Sequence, residues 1–324
     1  MVCVSVALLI LVVAYLKNPW EILAVVRRAM GRPEWLLCAI IAFGGSLTCG
    51  TLRWRILARA LGVPMGWRRT VQLYAVGHFY NVLIPGATGG DIVKAGVVAT
   101  EHPGRRAEAV ASILAERLIG FVALAAVVVC VALFRGEIFT GKVAWVRWYC
   151  LGFGASTFLG FVAMIAGRRF LKKFEGFRES SPALASARQP SRLERLRPVF
   201  FRLYDAIHFC MSHPVTFGKA FGLSMLNHIV TGLCAGFLGL SLGMGLGLVD
   251  VVCVMAVVSS VAVLSMTPGG AGVREVALAA LLAHVGMQAA EAVAVSLLMF
   301  AVILLWAVIG GGFFVALRST ATKM

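Results

Sequence analysis

The stretch NVLIPGATGGDIVK, residues 81–94, decides how this chain is read. It lies inside an apolar region, residues 70–100, and interrupts it twice, at Pro85-Gly86 and at Gly89-Gly90. Proline lacks the N–H that a helix needs and clashes with the preceding turn, and glycine is a weak helix former. The interruptions leave arms of about 15 and 11 residues. At about 1.5 Å rise per residue these reach roughly 16 to 23 Å, short of a hydrocarbon core roughly 30 Å thick. A re-entrant helical hairpin is the expected structure.

A second interruption of the same form, Pro268-Gly269-Gly270-Ala271-Gly272, divides the apolar region 250–286. Its downstream arm, of about 14 residues, is again too short to span, whereas its upstream arm is long enough to cross by itself. Aligning Pro85 with Pro268 superposes Pro-Gly-x-x-Gly on Pro-Gly-x-x-Gly at an offset of 183 residues, with charged residues just beyond each.

Around these regions lie six segments that read as full crossings: 2–17, 35–53, 117–134, 147–167, 217–242 and 291–317. The 324 residues are 60% apolar and only 14% charged, against about 25% charged in soluble domains. The expected fold class is all-α: one polytopic transmembrane helical bundle over residues 1–324, with about six crossings plus two hairpins. The first segment, Val2 to Leu16, lacks a basic leader and a small-residue cleavage site, so a removed signal peptide is not expected. The eight cysteines show no C-x-x-C spacing and read as small apolar residues.

The net charge of +16 raises the question of nucleic acid, and its placement answers it. Ten basic residues fall within 168–202, between two apolar runs, which reads as a basic cytoplasmic loop, 168–213, held near anionic headgroups. Counting both interrupted regions as hairpins puts this loop, the basic stretches 53–69 and 101–117, and both termini on the cytoplasmic side. The first hairpin then enters from the cytoplasm and the second from outside, an inverted pseudo-repeat of the kind that marks a transporter binding site near the midplane. Six of the seven tryptophans (Trp20, Trp35, Trp54, Trp67, Trp145 and Trp148) fall at segment ends, as interfacial anchors do.

The candidate site is built around the loops. Backbone freed by Pro85, Gly86, Gly89, Gly90, Pro268, Gly269 and Gly272 has no partner in hydrocarbon, so it must be buried in protein or line a wet cavity. Beyond the loops stand Asp91 with Lys94, and Arg274 with Glu275, ionisable groups that at membrane depth point to function. The N-terminus of each downstream half-helix adds unpaired N–H groups suited to a phosphate. The plainer reading is that each of these two pairs locks its own hairpin. Glu116-Arg117, at the start of the 117–134 crossing, reads either as a snorkelling interfacial pair or as an internal partner for Asp91 or Lys94. Arg53-Trp54-x-x-Leu57 reads as a helix-end anchor. His78, Asn81, Asn227 and His228 read as helix-to-helix hydrogen bonds ahead of headgroup donors.

Enzyme signatures are absent: there is no H-E-x-x-H, Walker A loop, G-x-S-x-G or spaced Cys/His cluster. No cofactor or metal is expected, and transport is favoured over catalysis.

Asn81-x-x-Ile84-Pro85, Gly89-Gly90-Asp91-x-x-Lys94, Glu116-Arg117-Leu118 and Pro268-Gly269-Gly270-Ala271-Gly272-Val273-Arg274-Glu275 together resemble the flippase-like family related to the transmembrane domain of lysylphosphatidylglycerol synthetase. The resemblance runs from the second crossing to the last. It implies a helical bundle in the plasma (inner) membrane of a prokaryote, with lipid translocation as the activity. Long members add a soluble aminoacyl-transfer domain that this sequence lacks, so lipid synthesis is not expected of it. Lys94 stands where arginine is expected in many members, keeping the charge without the bidentate fork.

The expected partners are membrane lipids with anionic headgroups, with an anionic phospholipid, an aminoacylated lipid or an isoprenoid-type lipid as substrate. The site residues expected to bind it are Asn81, Pro85, Gly86, Gly89, Gly90, Asp91, Lys94, Glu116, Arg117, Pro268, Gly269, Gly272, Arg274 and Glu275. The alternative is a non-transport scaffold or accessory subunit of a lipid-modifying or envelope-glycan enzyme.

Overall fold

The computed structural model describes residues 20–84, 89–179, 192–245, 247–264 and 272–321, and every regular element among them is helical. In chain order these are α1 (Trp20–Met30), α2 (Pro33–Ala60), α3 (Trp67–Leu83), α4 (Gly89–Glu101), α5 (Arg106–Phe134) and α6 (Trp145–Glu179). They continue with α7 (Arg192–Ser212), α8 (Pro214–Ser241), α9 (Leu248–Leu264), α10 (Val273–His284) and α11 (Ala289–Ala321).

Five stretches are long and apolar enough to cross a membrane: Pro33–Ala60, Pro103–Phe134, Gly141–Gly167, Pro214–Ser241 and Ala289–Val315. They coincide with five of the six expected crossings; the sixth, 2–17, lies outside the described residues. Two expected ends move. The helix expected to stop at residue 53 continues to Ala60, and the one expected to start at 117 starts at Arg106. The charges that seemed to mark helix ends are satisfied inside the bundle, so the helices run past them.

The expected basic loop 168–213 is instead largely helical, because α6 extends to Glu179 and α7 covers Arg192–Ser212. Leu203, Ala206, Ile207, Cys210 and Met211 follow the i, i+3, i+4, i+7, i+8 spacing of an amphipathic helix. That stripe packs against Ala111, Ala115 and Ile119 of α5, which is why the segment folds onto the bundle.

The most extensive packing joins α2 to α8. Arg32 reaches Leu240 O, Ser46 reaches Asn227, and Arg53 reaches Ser224, so partner numbers fall along α8 as they rise along α2 and the two helices are antiparallel. Helix α9 is buried over most of its turns, including Val251 and the run Cys253 to Val258, as a predominantly apolar helix packed inside a bundle should be. The outer surface is apolar as well: Ile41, Phe158, Leu159 and Val308 are each more than 60% exposed, a surface matched to hydrocarbon. This is a membrane protein.

Both interrupted regions fold as pairs of short helices, α3 with α4 and α9 with α10. Their 17, 13, 17 and 12 residues correspond to about 26, 20, 26 and 18 Å at 1.5 Å per residue, each below the roughly 30 Å of a bilayer core.

Candidate functional site

The α3/α4 pair is a tight antiparallel hairpin. Near the turn, Gly90 N–H donates to Asn81 Oδ1 at 2.8 Å. Farther out, the Lys94 stem lies against Gly77, and Arg69 pairs with Glu101 near the open ends. Two glycines permit this approach. A Cβ on Gly90 would stand 1.8 Å from Gly77 O, and a Cβ on Gly77 would stand 2.8 Å from Lys94 Cδ. Small residues bring helix backbones together where hydrophobicity gives no drive between helices.

The close approach assembles a buried cluster of charges. Lys94 Nζ lies 2.9 Å from Asp91 Oδ1 and 3.3 Å from Glu116 Oε2. It also stands over two aromatic rings, 5.1 Å from the centroid of Trp54 and 4.9 Å from that of Tyr74, within cation–π range. On the other side of Glu116, Oε1 accepts from Arg53 Nη2 at 2.9 Å and from the Tyr74 hydroxyl at 3.3 Å. Arg53 Nη1 donates to Ser224 Oγ at 2.8 Å, and Arg117 pairs with Asp91. Helices α2, α3, α4, α5 and α8 thus converge on one polar centre. Its three cations and two carboxylates balance to one net positive charge.

This arrangement corrects three sequence-based expectations. Glu116 and Arg117 do not open their helix: α5 begins ten residues before Glu116, whose side chain is 3% exposed, so the pair is an internal partner of Asp91 and Lys94 and not a snorkelling pair. Arg53 is not a helix-end anchor but a member of the cluster. Trp54 is fully buried, donating to Ser112 Oγ at 3.1 Å, and is therefore not at an interface, in contrast to the exposed Trp145 and Trp148. Arg53, Trp54, Tyr74 and Ser224 are the members that sequence reasoning missed. The one available signal was the position of Arg53 directly after an uncharged run, which equally marks a helix end. Arg53 and Arg55 are two positions apart and so face opposite ways on the helix. Arg53 turns inward, and Arg55 lies 5.4 Å from the ring centroid of Trp67.

At the second interruption, Gly272 takes φ +86°, a left-handed conformation that favours glycine. Its N–H donates to Glu275 Oε2 at 2.6 Å, the half of a capping box that a glycine N-cap can form. Glu275 Oε1 accepts from Arg274 Nε at 2.9 Å, so the same carboxylate caps α10 and holds the guanidinium.

Of the sequence-predicted residues, Asn81, Gly89, Gly90, Asp91, Lys94, Glu116 and Arg117 are gathered at the α3/α4 hairpin and its α5 wall, and Gly272, Arg274 and Glu275 at the start of α10. Pro85, Gly86, Pro268 and Gly269 lie outside the described residues. The histidines and Asn227 bond between helices: His78 donates to Ile303 O at 3.3 Å, His228 to Gly120 O at 3.4 Å, and Asn227 Oδ1 accepts from Ser46. The chemistry on offer is the holding of an anion by fixed cations.

Comparison with known proteins agrees with the motifs. The family model described as the lysylphosphatidylglycerol synthase TM region matches residues 2–311. The chain is also 24% identical over 283 residues to the UPF0104 membrane protein PH1989 of Pyrococcus horikoshii, covering 82% of this chain and 81% of that protein.

Proposed function

We propose, from the premise that this chain belongs to the family of the lysylphosphatidylglycerol synthase transmembrane region, that it moves an anionic or modified membrane lipid between leaflets. The observation that carries this reading is the cluster of Arg53, Asp91, Lys94, Glu116 and Arg117 inside an apolar bundle. Ionisable groups at membrane depth are costly and mark substrate or ion pathways. A buried ion network is also a poor device for stability alone, since well-packed apolar residues do as well or better. The positive balance suits a headgroup that carries phosphate.

In this reading α3/α4 and α9/α10 are the two oppositely inserted hairpins, reaching the site from the cytoplasmic and outer faces. Lys94, Arg117 and Arg274 engage the headgroup, and Asp91, Glu116 and Glu275 orient them. Rocking of one half against the other gives alternating access. The protein resides in the plasma membrane of a prokaryote, with both termini cytoplasmic, and performs no covalent step.

The test is reconstitution of purified protein in vesicles whose outer leaflet carries labelled lipid, with inter-leaflet exchange followed for phosphatidylglycerol, an aminoacylated lipid and an isoprenoid phosphate. Wild type accelerates exchange of at least one, and Asp91→Asn and Arg274→Gln abolish it. No acceleration for any of them sinks the reading. Full activity in both variants means that these charges are structural.

A further inference from the structure

Beside the charged cluster runs an apolar groove of about 590 Å³ between α5, α6 and α9, closed by Met211 of α7. This volume lies within the 300 to 1,000 Å³ typical of small-molecule sites. One wall is a stripe on α6: Tyr149, Phe153, Ser156, Gly160, Phe161 and Met164. From Tyr149 to Met164 the stripe extends about 22 Å along the helix axis at 1.5 Å per residue. Leu118 and Val122 of α5 and Val263 and Leu264 of α9 form the facing wall.

The lining is hydrocarbon in character. The Ser156 and Thr157 hydroxyls both donate back to Phe153 O on their own helix, and the Tyr149 hydroxyl is engaged with Ser260 Oγ at 3.1 Å. A mainly apolar groove whose lining hydroxyls already have protein partners suits an alkyl or prenyl chain and not a headgroup.

Apolar fit alone gives no preference in a bilayer, because lipid tails are as apolar as the residues facing them. Selection needs a polar hold near one end of the groove, and Arg117 has that position. Leu118 follows it directly, and Phe121, also in the lining, is one helical turn away on the same face. The Arg117 side chain is 34% exposed, whereas those of Asp91, Lys94, Glu116 and Arg53 are at most 10% exposed. It is the most exposed member of the cluster.

We infer that the α5/α6/α9 groove holds one hydrocarbon chain of an anionic membrane lipid whose headgroup sits on Arg117. This deepens the lipid reading above and rests on it for the identity of the ligand class, but it is a statement about binding and is measured separately from transport.

The experiment is photo-crosslinking of the full chain in vesicles, using phosphatidylglycerol with a diazirine in one acyl chain, with labelled positions mapped by mass spectrometry. Label is expected on the groove face of α6, at Phe153 and Phe161, well above that on the outward Phe158 and Leu159, which are 67% and 69% exposed. Phosphatidylcholine with the same chain is expected to label both faces evenly. Gly160→Trp fills the groove: a Cβ there meets nothing within 4 Å, so the indole enters open space and not backbone. It is expected to remove the groove label. Gly152→Trp, on the same helix, equally open and outside the groove, is expected to leave the label in place.

Even labelling around α6 by phosphatidylglycerol overturns the inference, as does wild-type groove labelling in Gly160→Trp. Selective labelling in a protein that does not accelerate exchange overturns transport and leaves the chain site standing.

Discussion

Arg53 Nη2 lies 2.9 Å from Glu116 Oε1, an ion pair buried on both sides that ties α2 to α5 across 63 positions of sequence. Glu116 holds Lys94 with its other oxygen, so one carboxylate serves two cations from two further helices. Removing a partner from a buried pair leaves an uncompensated charge, which costs about 3 to 5 kcal/mol. Glu116→Ala should therefore destabilise the bundle by about that amount. The Arg69–Glu101 pair, whose side chains are each about one-third exposed, is the internal control. Glu101→Ala should change stability by about 0 to 1 kcal/mol, less at high salt. Equilibrium unfolding of both variants in detergent checks the contrast, and equal effects contradict the assigned burial.

Lys94 separates charge from shape. Lys94→Met keeps the stem against Gly77 but strips Asp91 and Glu116 of their shared cation, and it should lose lipid exchange. In Lys94→Arg the fork reaches both carboxylates, so exchange should persist. Paired exchange rates for the two variants in vesicles decide the matter. Retention of full activity by the Met variant shows that the ammonium is not used.

Two glycines of α4 should respond in opposite ways to the same substitution. Gly90→Ala drives a methyl to within 1.8 Å of Gly77 O, a backbone atom, and so must part α3 from α4. Overpacking of this kind costs about 1 to 3 kcal/mol. Gly96→Ala meets nothing within 4 Å and should stabilise the helix by up to about 1 kcal/mol. Thermal unfolding of the two proteins, with proteolysis to report opening of the hairpin, gives the comparison.

The start of α10 depends on a backbone that favours glycine. Gly272→Ala forces a side chain into φ +86°, at a cost of about 1 to 2 kcal/mol for a left-handed non-glycine residue. Glu275→Gln keeps the size but weakens the hold on both the Gly272 N–H and Arg274. Hydrogen exchange should rise in the first turn of α10 in both variants and stay unchanged in α4. A uniform rise across the bundle shows instead that the cap acts on global stability.

How much of this was legible in the sequence differs from residue to residue. The two Pro-Gly interruptions announced short helix pairs, because proline and glycine act through the local backbone wherever they stand. Asp91, Lys94, Glu116 and Arg117 were also visible, since a charge in an apolar run is conspicuous without knowledge of its partner. Arg53, Trp54 and Tyr74 were not, because the same residue types at an apolar boundary serve equally as interfacial anchors. Their role depends on which way each side chain faces.

The sequence by itself determined the membrane environment, the helical class, the interruptions and the family. The first three follow from composition, periodicity and local backbone chemistry, which are additive along the chain; the family follows from the resemblance of its motifs. Tertiary structure alone decided that Glu116 lies ten residues inside α5, that Arg53 turns inward to meet it, and that Arg192–Ser212 folds back as helix onto the bundle. Those outcomes depend on pairing between segments far apart in sequence. A buried charge is tolerated only where another helix delivers its partner, and no local pattern states which helix that is.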